Sequence, residues 1–247
     1  MIKRQIPNLI TLCNLLCGVI AVGLAVSGNS YAAALFICLG IFLDFFDGLT
    51  ARLLGVSSPL GKELDSLADV VTSGVAPAFI LFSLLEHSYN CYGAPWVNYL
   101  SFSAFFMPLF AAYRLAKFNL DTRQSHSFLG LPVPSNALLW VGIALTTTGC
   151  TFYNSSSVLW PFAETPVFPY CLIILSLVTD VLMVSELPLF SLKFNFKDLS
   201  WKTNSVQYIF LIGCAVIIAV LRDWIALSAI ILWYIILSAI TQRKHAE

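Results

Sequence analysis

An all-α, polytopic bundle of membrane-spanning helices is the fold this sequence predicts, and three observations carry the prediction. Hydrophobic residues fill 59% of the 247 positions and charged residues only 11%, against about 25% charged in soluble domains. Apolar stretches of bilayer-crossing length, ~20 residues, recur with short polar breaks between them. The basic residues concentrate in every second break, on one side of the membrane. If residue 1 is cytoplasmic, twelve of the thirteen Lys and Arg fall on the cytoplasmic side and Arg222 alone lies outside.

The spans read in order as roughly 8–27, 31–54, 66–86, 97–117, 131–150, 167–187, 206–221 and 224–241, eight transmembrane helices with both termini cytoplasmic. The first follows Lys3 and Arg4 and ends in small residues, like a secretory signal. Asn8 and Asn14 are too polar for a cleavable core, and the charge pattern works best with the helix retained. The second and third carry aspartates, treated below. The fourth ends on Arg114 and Lys117, and the fifth follows a polar, partly basic stretch, 118–130. Asp180 lies near the end of the sixth, where pairing with a nearby base or exposure at the cytoplasmic end is expected. Arg222 and Asp223 form a very tight external turn between the last two. External segments 87–96 and 151–166 lack Lys and Arg, and Trp96, Trp160, Trp201 and Trp224 lie near helix ends, where aromatic rings anchor at the headgroups. No internal repeat divides the chain, so a single membrane domain is expected.

Other chemistry is excluded or left open by the same composition. A formal net charge of zero argues against a nucleic-acid partner, which needs a basic surface to displace counterions. The seven cysteines show no metal-ligand spacing. Cys13, Cys17, Cys38, Cys171 and Cys214 read as small apolar core residues, while Cys91 and Cys150, near external loops, leave a disulfide open. His87, His126 and His245 are too scattered to hold a metal. Ser66, Thr72 and Ser73 lack a Ser/His/Asp constellation, which disfavours a covalent intermediate.

Chemistry concentrates in one frame, Asp44-x-x-Asp47-Gly48-x-x-Ala51-Arg52-x₈-Gly61-x₃-Asp65-x₃-Asp69. Unpaired carboxylates are costly in apolar helices and mark substrate or ion sites. At about 100° per residue, Asp47, Gly48 and Ala51 fall at about −60°, +40° and −20° from Asp44, on one helical face. Asp65 and Asp69, four apart, share a face of the next helix. Two facing helices thus pool four carboxylates, an oxygen-ligand set suited to a pair of Mg²⁺ or Mn²⁺ ions that neutralise phosphate oxygens. Gly48 and Gly61 leave room for a bulky ligand at the backbone, and Arg52 offers a phosphate partner.

This frame matches, without gap or substitution, the signature of the CDP-alcohol phosphotransferase family, which the chain resembles. The resemblance implies transfer of a substituted phosphate from a CDP-linked donor to an alcohol, with release of CMP. It implies that Asp44, Asp47, Asp65 and Asp69 bind divalent metal and that Asp69 is the catalytic base for the acceptor hydroxyl. Around the frame, Pro7-Asn8-Leu9-Ile10-Thr11 with Asn14, Gly61 to Asp69, Gly74-Val75-Ala76-Pro77, Arg114 to Asn119, Gly130-Leu131-Pro132 and Leu182-Met183-Val184-Ser185 resemble the bacterial and archaeal membrane-bound phosphatidylserine synthases. That similarity implies CDP-diacylglycerol as donor, L-serine as acceptor, a six-helix core over 1–193 and a bacterial inner-membrane homodimer with its site facing the cytoplasm. The segment 194–247 is then an additional loop and helical hairpin. Glu186-Leu187-Pro188-Leu189-Phe190 departs from the family's more polar pattern.

Gly48, Ala51, Arg52, Gly61 and Asn14 are the donor-binding candidates. Arg114 and Lys117, three apart, are candidates for the serine carboxylate, with lipid anchoring the plainer reading of both. For Asn8 and Asn14, helix–helix hydrogen bonding is the alternative to contact with the donor. Glycerol 3-phosphate or an inositol phosphate is the alternative acceptor. Intramembrane prenyltransferases, which show a second Asp-rich motif, and ion-coupled transporters, which show inverted repeats, fit the sequence less well.

Overall fold

The computed structural model describes residues 2–56, 58–92, 99–120, 128–149, 160–163, 165–190 and 201–246. Each of the eight expected helices is present. They are α1 (Ile2–Val26), α2 (Ser30–Leu53), α3 (Pro59–Asp69) continuing through a π-helical turn (Val70–Val75) into α4 (Ala76–Tyr92), then α5 (Phe106–Leu120) and α6 (Val133–Gly149). After a single turn, α7 (Trp160–Ala163), follow α8 (Phe168–Val184), α9 (Trp201–Leu221) and α10 (Ile225–Ala246). Four segments, Gln5–Val26, Ser30–Leu53, Pro59–Ser88 and Asn204–Leu221, are long and apolar enough to cross a membrane, and Phe168–Val184 and Ile225–Thr241 are shorter apolar helices. The protein is an integral membrane protein. α6 is buried almost all round from Asn136 to Thr147, as a helix enclosed by its neighbours must be.

Local chemistry sets the joints. Gly28 takes a left-handed φ of 81°, and Asn29 caps α2 by accepting from the Ala32 N–H at 3.1 Å. The third helix starts at Pro59, seven residues before the apolar reading placed it. Ser58 accepts the Gly61 N–H at 3.0 Å and Pro59 occupies the first turn. Capping, not hydropathy, fixes that start, and it extends a polar turn below the apolar span. At the other end, Asn204 has φ −119° and ψ 26°, so α9 straightens only after it, close to the expected start at 206.

Small residues let the helices bearing the aspartates approach each other. An added Cβ at Gly18 would lie 2.5 Å from Thr72 Oγ1, and one at Gly40 would lie 2.5 Å from Thr72 Cγ2. Thr72, in the π turn, donates to the Asn14 carbonyl at 3.0 Å. Polar bonds between closely packed backbones are how helices associate where lipid removes the hydrophobic drive. On the opposite side of that turn, a Cβ on Gly74 would meet Ala111 of α5 at 3.0 Å.

The second half closes over this core. Phe128 and Leu129 pair antiparallel with Leu189 and Pro188, and the Gly130 and Leu131 N–H groups donate to Leu187 O and Leu182 O. Gly130 has φ 72°, and a Cβ there would lie 2.5 Å from Met183 O, so glycine is required for this crossing. α10 docks on α6 through Ser228, which donates to Leu139 O at 2.6 Å beside Gly142.

Two expectations need correction. Cys13 and Cys171 are exposed rather than in the core, because they lie on the outward faces of α1 and α8, where a thiol is equally apolar. Asp180 is neither exposed nor paired with a base. It is fully buried, and among the described residues its hydrogen-bond partner is Ser176 at 3.4 Å, because the face of α8 that carries both residues is packed inside the bundle. The pairing considered for Cys91 and Cys150 involves Cys150, outside the described residues.

Gly40→Val is expected to destabilise the fold by on the order of 1–3 kcal/mol through overpacking against Thr72. Gly23→Ala, where an added Cβ meets nothing within 4 Å, is expected to be neutral or slightly stabilising. Thermal unfolding in detergent separates the two, and equal transitions would contradict the packing described.

Candidate functional site

α2 and α3 bring the aspartates together. Asp44, Asp47 and Asp65 each offer an oxygen within 4.8 Å of the others. Asp47 is 6% exposed and Asp69 8%, while Asp44 and Asp65 are half-buried. Asp69, one turn along from Asp65, joins the group through Asp44 and Asn14, which are its side-chain neighbours. Among the described residues none of the four forms a salt bridge; the ion pair there joins Lys117 and Glu186.

Neutral donors from α1 hold the carboxylates. Thr11 Oγ1 donates to Asp47 Oδ2 at 2.5 Å and Asn14 Nδ2 donates to Asp44 Oδ1 at 3.3 Å. These bonds orient the acids without neutralising them. Like charges so close together, in surroundings of low dielectric, demand cations. An all-carboxylate set of this kind fits hard divalent ions.

A cavity of about 630 Å³ opens from the cluster. Asp47 and Asp65 lie in its wall with Gly48, Ala51 and Arg52 of α2 and Gly61 and Lys62 of α3, while Asn8 and Thr11 contribute from α1. Arg52 and Lys62 are exposed, so two cations flank an opening that leads to acids. An anionic ligand is steered there. A Cβ on Gly48 would meet nothing within 4 Å, leaving the backbone open to the cavity, whereas one on Gly61 would meet Ser58 Oγ at 3.1 Å and Asn8 Oδ1 at 3.2 Å. Gly61 therefore also serves close packing of α1 on α3.

The remaining candidates separate. Asn14 is fully buried and supports Asp44 and Asp69 from beneath rather than lining the cavity. Arg114 is 8% exposed, with its Nε unpartnered among the described residues and its guanidinium 5.9 Å from the Phe118 ring centre. Lys117 turns outward to Glu186 at 3.5 Å, so the two bases do not share a pocket. Thr11 and Lys62 were not singled out as site residues from sequence. Thr11 was legible only as the middle of a polar stripe, Asn8, Thr11 and Asn14, at three-residue spacing on an apolar helix.

Residues 4–167, more than half of the chain, match the model of a family described as CDP-alcohol phosphatidyltransferase. The chain is 39% identical over 143 residues to the CDP-diacylglycerol–serine O-phosphatidyltransferase of Bacillus subtilis, covering 58% of this chain and 77% of that protein. It is 37% identical over 150 residues to the protein of the same name from Methanocaldococcus jannaschii, 61% of this chain and 62% of that one. Similarity to the one from Saccharomyces cerevisiae is 41% over 122 residues, 45% and 41% of the two chains. The match thus spans less than two thirds of the length of the latter two relatives.

Thr11→Val removes the donor to Asp47 at nearly constant volume. It is expected to weaken Mn²⁺ binding by about 10- to 100-fold, the usual effect of losing a group that orients a ligand. Titration of the purified protein with Mn²⁺, followed by electron paramagnetic resonance, checks this, and unchanged affinity would contradict it.

Proposed function

The chain belongs to the CDP-alcohol phosphatidyltransferase family, and we propose that it transfers the phosphatidyl group of CDP-diacylglycerol to the hydroxyl of L-serine, giving phosphatidylserine and CMP. The observation that carries this reading is the convergence of Asp44, Asp47 and Asp65 beside a cavity flanked by Arg52 and Lys62. Serine as acceptor is supported by the name shared by the relatives.

The residues divide the work. Arg52 and Lys62 receive the negative charge of the nucleotide end, and Gly48 lets it approach the α2 backbone. Asp44, Asp47, Asp65 and Asp69 would hold two divalent ions, Mg²⁺ or Mn²⁺, which when bound supply positive charge to the phosphate oxygens. Asp69 accepts the proton of the serine hydroxyl as its oxygen attacks the phosphorus nearer the lipid. The bond from that phosphorus to the bridging oxygen breaks, and CMP departs with the electron pair. Arg114, buried and with an Nε that lacks a partner among the described residues, pairs with the serine carboxylate. The same reading carries a homodimer in a bacterial cytoplasmic membrane, with the site and both termini on the cytoplasmic side, supported by the one-sided distribution of Lys and Arg.

Purified protein incubated with CDP-diacylglycerol, Mn²⁺ and separately labelled serine, glycerol 3-phosphate and inositol phosphate is expected to label lipid from serine alone. Activity should vanish in chelator and fall by about 10²-fold or more in Asp69→Asn, with the variant still folded. Labelling from another alcohol, or an active Asp69→Asn, would refute the corresponding assignment.

Arg114→Ala should raise the KM for serine by about 10- to 100-fold, the range expected for a charge-assisted bond, while the KM for CDP-diacylglycerol holds. Equal effects on both substrates would remove Arg114 from the acceptor side.

A further inference from the structure

Lys62, in the wall of the cavity, belongs to a closed circuit of hydrogen bonds that joins α3 to α5. Asn119 Nδ2 donates to Ser66 Oγ at 2.8 Å, Ser66 Oγ donates to the Lys62 carbonyl at 3.2 Å, and Lys62 Nζ donates to the Asn119 carbonyl at 3.2 Å. Helix chemistry accounts for both ends. Ser66 lies four residues after Lys62, so its hydroxyl reaches back to that carbonyl along one face of α3. Asn119 stands in the last turn of α5, where carbonyl groups have no intrahelical partner and the helix dipole presents partial negative charge. A cation is favoured there. α5 has a base of its own in that turn, but Lys117 Nζ is turned to Glu186 at 3.5 Å, and α3 supplies Lys62 instead.

The consequence falls on the lysine. Its backbone is fixed in the first turn of α3, where its N–H donates to the Ser58 carbonyl at 3.2 Å. Its ammonium is exposed, on a flexible four-carbon stem that water alone would leave free to swing. An ammonium carries three donors. The one given to Asn119 anchors the group beside the cavity, and two remain for the oxygens of a ligand. Asn119 does not itself line the cavity, so any effect it has on a ligand there passes through Lys62.

We propose that Asn119 is a positioning residue for the donor: its carboxamide grips Ser66, and its carbonyl holds the Lys62 ammonium in the cavity wall, set to receive the diphosphate of a nucleoside-diphosphate-linked substrate. The inference rests on the reading of Lys62 given above and extends it to the end of α5, a helix that contributes no residue to the cavity lining.

The test measures CDP binding to the purified full chain by titration calorimetry with Mn²⁺ present, together with KM for CDP-diacylglycerol and for serine, and uses thermal unfolding as a fold control. Asn119→Ala is expected to weaken CDP binding and raise the donor KM by about three- to ten-fold, the effect of one hydrogen bond, while the serine KM holds. Ser66→Ala removes the same bond from the other partner and should do likewise, whereas Ser66→Thr keeps the hydroxyl and should keep the affinity. Lys62→Ala should weaken CDP binding by about 10- to 100-fold, the range for a bond to a charged group, and adding Asn119→Ala to it should change nothing further. Normal CDP binding by Asn119→Ala, equal shifts in the KM of both substrates, or an undiminished effect of Asn119→Ala in the absence of Lys62 would overturn the proposal. If Asn119→Ala lowers the thermal transition, the comparison of Ser66→Ala with Ser66→Thr decides: weaker binding in the first alone supports the proposal, and equal binding in the two overturns it. Failure of the unmodified protein to bind CDP would instead sink the donor reading, and the proposal with it, so the two failures are distinguishable.

Discussion

The close approach of α1, α2 and the π turn is the constraint on which everything else depends. Gly18 and Gly40 lack the atoms that would strike Thr72, and Thr72 bonds to the Asn14 carbonyl across the gap. With bulkier residues at either position, α2 and α3 would stand apart and their aspartates would not converge. Glycine in a helix interior costs about 1 kcal/mol relative to Ala, so these positions trade intrinsic helix stability for proximity. The π turn contributes in a second way. Its wider ring changes the rotational phase between α3 and α4, so that Asp69 faces the site, Thr72 faces α1 and α2, and Gly74 faces α5.

Convergence of like charge raises an electrostatic problem that the fold leaves partly open. Thr11 and Asn14 donate to Asp47 and Asp44, which satisfies individual oxygens but cannot cancel charge. Among the described residues no base completes a salt bridge with the four. A fully compensated cluster would be a stable structural network with no affinity left for cations. The residual negative charge is what a divalent-ion site requires, and the folding cost of holding it is met by the packing of the flanking helices.

Much of this was legible in the sequence because it repeats locally. Helices announce themselves by apolar length, and the faces of Asp44, Asp47, Asp65 and Asp69 follow from helical spacing alone. The early start at Pro59 was not legible from hydropathy, because polar capping residues lie outside an apolar window. Contacts across distant segments leave no period: Thr11 with Asp47, and Tyr234 with Phe190, join residues that no spacing rule connects. Asp180 illustrates the same limit. Its isolation in sequence gave no sign of whether α8 would turn it inward, and only the packing of Leu172, Ser176 and Met183 on the same face decides that.

Position also separates the four acids by task. Asp47 and Asp65 line the cavity flanked by Arg52 and Lys62, and Asp44 and Asp69 stay out of its lining. Asp44 links them to Asp69. Asp69, nearly buried, sits one turn further along α3 than Asp65. On the function proposed above, a base in that position takes its proton from an acceptor that arrives beside the donor cavity. Near-attack placement of two bound reactants accounts for a large share of enzymatic acceleration, and on that reading it follows from one turn of helix: the step from Asp65 to Asp69 carries the carboxylate row from the cavity wall into the bundle.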